Sequence, residues 1–111
     1  MSRLSQLHVK LNHSPSLLPI EDEVFLASEL MTISIEEIID DQALFFDILD
    51  QLETSHTTGL GYLNKSVAHR GVFARFAAFL DGLAVQLPSQ SAWLAGTASA
   101  FRLTNHGNEA G

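Results

Sequence analysis

The chain has 111 residues, no cysteine, 46% apolar residues and a formal net charge of −7. That length suits a single hydrophobic core, and seven Phe, one Trp and one Tyr supply large side chains to fill it, so disorder of the whole chain is not expected. The missing cysteine rules out disulfides, thiolate metal sites and a cysteine nucleophile, leaving packing to hold the fold.

Residues 1–19 carry Arg3 and Lys10 and no carboxylate. Leu7, Val9 and Leu11 alternate as in a strand, although Leu4, Leu7 and Leu11 also fit one helical face; the alternation favours an extended N-terminal arm. A lone strand has no partner elsewhere in the chain and would pair with a second copy. Ser14, Pro15, Ser16 and Pro19 read as a linker. No continuous apolar stretch follows the early cations, so a secretory signal is not expected. The most apolar run, Val72 to Leu87, is interrupted by Arg75, Asp81 and Gly82 and falls short of the ~20 residues that cross a bilayer. No membrane association and a cytoplasmic location are the expectations.

From residue 20 to residue 53 the chain has eleven carboxylates and no Lys or Arg. A first helix is predicted after Pro19, with Glu21, Asp22 and Glu23 at the positive end of its dipole and Val24, Phe25, Ala27, Leu30 and Met31 as its apolar side. Ser34 with Glu37 three residues on matches a capping box and opens a second helix from Ile35 to about Glu53. Ile35, Ile38, Ile39, Phe45, Phe46, Leu49 and Leu52 form its stripe, with the acid on the other side. Leu44 and Ile48 fall outside that stripe, so either the fold covers both flanks or the two residues form a self-association surface. The second alternative makes them the candidate homodimer contacts.

Beyond Thr57 a polar, Gly-rich break is followed by a third helix, about Gly71 to Gln86, apolar on almost every side and stopped by Pro88. Ser89 or Ser91 caps a fourth through about Leu103, whose Ala92, Ala95, Gly96, Ser99 and Ala100 permit close helix approach. The expected architecture is all-α: a compact bundle of about four helices, with 1–19 as arm and linker, 20–103 as one helical domain and 104–111 as a flexible tail.

Candidate chemistry is sparse. Gly59 to Ser66 resembles the phosphate loop G-x-x-x-x-G-K-[ST], but Asn64 replaces the second glycine and no strand flanks it, so an interhelical turn explains it better. The five histidines, His8, His13, His56, His69 and His106, never show the i, i+4 spacing of paired helical ligands. Glu36, Glu37, Asp40 and Asp41 could join His56 or His69 at a metal, yet the Glu-x-x-His pairs of such sites are missing. No nucleophile motif surrounds any serine. Lys65, His69, Arg70 and Arg75 are too narrow a basic group for direct nucleic-acid binding, and Arg70 and Arg75 are better read as pairing with acids on the second helix.

The expected function is therefore a non-enzymatic helical interaction module, an accessory or regulatory protein that self-associates, with no cofactor or metal. Asp40, Asp41, Asp47 and Asp50 are the residues expected to meet a basic partner. One alternative is an acidic inhibitor, immunity protein or nucleic-acid mimic, drawn to its partner by electrostatic steering. The other is a small ligand-binding protein or enzyme using His56, His69 and a nearby carboxylate.

Overall fold

A computed structural model of the chain describes residues 2–13, 17–58 and 66–107, with side chains in the last stretch through Arg102. Among the described residues six α-helices follow one another: α1 (Arg3–Asn12), α2 (Ile20–Leu30), α3 (Ile35–Asp40), α4 (Gln42–Thr58), α5 (Val67–Gln86) and α6 (Ser91–Gly107). A 3-10 turn, Pro88–Gln90, leads from α5 into α6. The all-α class holds, and among the described residues there is no strand. No helix among them is long and apolar enough to cross a membrane.

The arm is helical, which corrects the extended reading. Ser2 accepts the Ser5 N–H as N-cap, and Leu4, Leu7 and Leu11 are buried because α1 lies on α4. The helical spacing of these leucines outweighs the Leu7/Val9/Leu11 alternation, since Val9 is left 46% exposed. A helix also satisfies its own backbone, whereas a lone strand would not.

The long acidic helix is in fact two. Asp41 leaves helical geometry at φ −137° and ψ 47°, and its N–H caps α3 by donating to the Glu37 and Ile38 carbonyls. Its own carbonyl accepts from Phe45 N and opens α4. Asp is a poor helix former, and the break lets Ile38 and Phe45 both become fully buried. Ser34 does cap α3, accepting from Glu37 N at 3.2 Å, but the Glu37 carboxylate reaches elsewhere.

α5 begins at Val67, earlier than the pattern from Gly71 suggests, because Ser66 and His69 form a reciprocal capping box. It pairs along its length with α6, and the two helices close over α2 and α4. α6 continues past Leu103 to Gly107. The core centres on Phe45, Phe73, Phe76 and Phe101 with Leu30, Ile38, Leu49, Leu52, Leu80 and Leu94, all fully buried; each such side chain contributes roughly 1.5–3 kcal/mol of transfer free energy.

Candidate functional site

Histidines and carboxylates meet at three places. At the centre, His56 of α4 and Glu23 of α2 are both about 1% exposed, with Nδ1 and Oε1 2.8 Å apart. The His56 ring packs against Phe73 at 4.4 Å and against Phe101 at 4.6 Å, and those two rings pack on each other. Both residues fall on apolar stripes, Glu23 with Ala27 and Leu30 and His56 with Phe45, Leu49 and Leu52, which is why they are drawn inside. This pair sits within packed aromatic rings and holds α2 to α4. Beside it the Ser55 hydroxyl accepts the Leu18 N–H at 2.8 Å, fixing the entry to α2.

A second pair ties α5 to α2. His69 Nδ1 accepts the Ser66 N–H at 3.2 Å, so Nε2 carries the proton and donates to Glu21 Oε1 at 2.9 Å. The tautomer follows from the cap itself.

The third surrounds α1. Arg3 reaches Glu29 of α2 at 3.3 Å, the Leu4 N–H donates to Glu37 Oε2 of α3 at 3.1 Å, and His8 meets Asp47 of α4 at 2.5 Å. One carboxylate from each of the three acidic helices therefore holds α1, and Glu37 sits where a helix N-terminus favours negative charge. On its other flank α1 faces α2 across an open groove of about 250 Å³ lined by Leu7, Leu11, Leu18, Leu26, Phe25, Lys10 and Asp22. The Lys10 ammonium rests 4.4 Å from the Phe25 ring centre.

The expected surfaces separate. Asp40 and Asp50 are exposed, Asp41 is half-buried at the α3–α4 junction, and Asp47 is shared between His8 and Gln51. Ile48 is fully buried and Leu44 packs partly buried against the core. Because α1, α2, α3 and α6 all contact α4, both flanks of that helix are enclosed. Within one chain the fold therefore covers Ile48, which is the first of the two alternatives its position offered.

His56 and His69 are occupied by Glu23 and Glu21 and do not join Glu36, Glu37, Asp40 and Asp41 at a metal. Among the described residues no group of three or more His, Asp or Glu side chains is arranged to hold a metal ion. The phosphate-loop resemblance, apart from Ser66, lies outside the described residues. Sequence reasoning missed the buried role of Glu23; a carboxylate on the 23, 27, 30 stripe was the available signal. No family model, curated protein or solved structure matches the chain.

Proposed function

We propose that the chain is a non-enzymatic helical interaction module that binds a basic partner protein through the carboxylates of α3 and α4. The observation that carries this reading is that Asp40 and Asp50 stand exposed on helices with no Lys or Arg. Neither has a cationic partner among the described residues. Uncompensated acid at the surface raises the local concentration of a cationic partner and speeds its association.

The catalytic alternative has less support. His56 is buried against aromatic rings and paired with Glu23, and His69 caps α5 and is paired with Glu21, so both histidines have structural partners. The self-association expected at Leu44 and Ile48 forms no part of the proposal, because Ile48 is inside the core.

The test is affinity capture from host lysate with the wild-type chain and with Asp40→Lys/Asp50→Lys, at low and high salt. A stoichiometric basic protein held by the wild type at low salt and lost in the variant is the expected outcome. A partner retained by the variant and insensitive to salt would remove the acidic face from the interaction.

A further inference from the structure

α1 differs in chemistry from the helices it lies on. It carries Arg3, His8 and Lys10 with no carboxylate, and buries Leu4, Leu7 and Leu11 along one side. Its seat is the converse: an apolar floor on α4 rimmed by Glu29, Glu37 and Asp47 from three separate helices. The pairing is that of an amphipathic helix laid in an acid-rimmed trough, a mode by which proteins also recognise helices of other chains.

We infer that this trough is a docking site for a basic amphipathic helix of a partner protein, occupied in cis by α1. The inference rests on the basic-partner reading above and names where such a partner seats. The partner segment has apolar residues at i, i+3 and i+7, as Leu4, Leu7 and Leu11 have. It carries a cation just before the first, where Arg3 meets Glu29, and a proton donor one turn after it, where His8 meets Asp47. Binding requires α1 to leave, so affinity is reduced by the fraction of time α1 is docked. The tether makes α1 a strong competitor because it holds it at high local concentration.

The polar tethers suit exchange. Arg3 and Glu29 are 45% and 35% exposed and Asp47 is 52% exposed, and surface ion pairs of this kind contribute little stability and weaken with salt. The leucines supply most of the hold, and a competing helix would bring the same side chains.

The experiment uses the 111-residue chain and a fluorescein-labelled peptide of residues 2–13, which carries the required pattern of leucines and cations. Peptide affinity is measured by anisotropy for the wild type, for Leu7→Asp, which removes α1 from the apolar floor, and for Arg3→Glu/His8→Glu, which sets carboxylates against Glu29 and Asp47 without altering the leucines. Both variants are expected to bind the peptide at least about tenfold more tightly than the wild type. Binding should weaken with salt and vanish for a peptide carrying Leu7→Asp. If Leu7→Asp unfolds by circular dichroism, the charge-reversed chain decides. A folded Arg3→Glu/His8→Glu chain that binds no better than wild type overturns the inference. If that chain is still captured with a basic protein through Asp40 and Asp50, this inference alone falls and the function proposed above stands.

Discussion

His56 and Glu23 meet at 2.8 Å with both side chains excluded from water, the imidazole packed against the rings of Phe73 and Phe101. Removing one member of such a pair takes a hydrogen-bond partner from a buried polar group, at a cost of about 1–3 kcal/mol. His56→Ala is therefore expected to destabilise strongly in urea unfolding at neutral pH. Glu23→Leu/His56→Leu, which removes both polar groups, should be destabilised by less than the sum of the single changes, with a coupling of about 0.5–3 kcal/mol. Additive losses would show that the two side chains stabilise the fold independently.

The Ser66–His69 cap offers a milder test on the surface. Ser66 accepts from His69 N at 3.1 Å while the His69 ring accepts in return and donates to Glu21. Ser66→Ala removes the acceptor for an unpaired helix N–H and should cost about 1 kcal/mol. His69→Ala loses the reciprocal bond and the tie to α2, so its cost in thermal unfolding should equal or exceed that of Ser66→Ala. A neutral His69→Ala would assign the cap to Ser66 alone.

The helices were legible in the sequence wherever an apolar stripe coincided with a capping signal, as at Pro19 for α2 and Ser34 for α3. The break at Asp41 was hidden because Ile38, Phe45, Leu49 and Leu52 keep an almost continuous helical spacing across it; only tertiary contact shows that α3 and α4 bury that stripe separately. The N-terminal arm carried two periodicities over the same residues, and the surface of α4 decided between them. At the candidate site, the partners of Glu21, Glu23 and Asp47 lie 48, 33 and 39 residues away, beyond the reach of local patterns. Of the acidic segment, Glu29 pairs with the cation Arg3, whereas Glu21, Glu23 and Asp47 meet histidines as hydrogen-bond partners.

The burial of Ile48 turns the self-association question into a stability measurement. Ile48→Ala opens space in an enclosed core site and should cost about 2–5 kcal/mol, with no selective change in any assembly seen by sedimentation. Leu44→Glu places a charge against the core and should also destabilise the monomer. Dissociation of an oligomer with unchanged unfolding free energy would restore α4 as a contact surface.

Gly82 in α5 and Gly96 in α6 are exposed within helices, and a Cβ at either position meets nothing within 4 Å. Glycine in a helix interior is destabilising by roughly 0.5–1 kcal/mol relative to alanine. Gly82→Ala and Gly96→Ala are therefore each expected to raise the melting temperature by a few degrees. Neither helix needs the glycine for its own packing, since both positions face solvent and none of the described glycines has positive φ. A fall in melting temperature on either substitution would therefore show that the space above α5 or α6 is filled in solution, by a second copy or by residues of the same chain outside those described. Repeating the measurement across a range of protein concentrations would then separate a second copy, whose contribution grows with concentration, from an intramolecular contact, whose contribution does not.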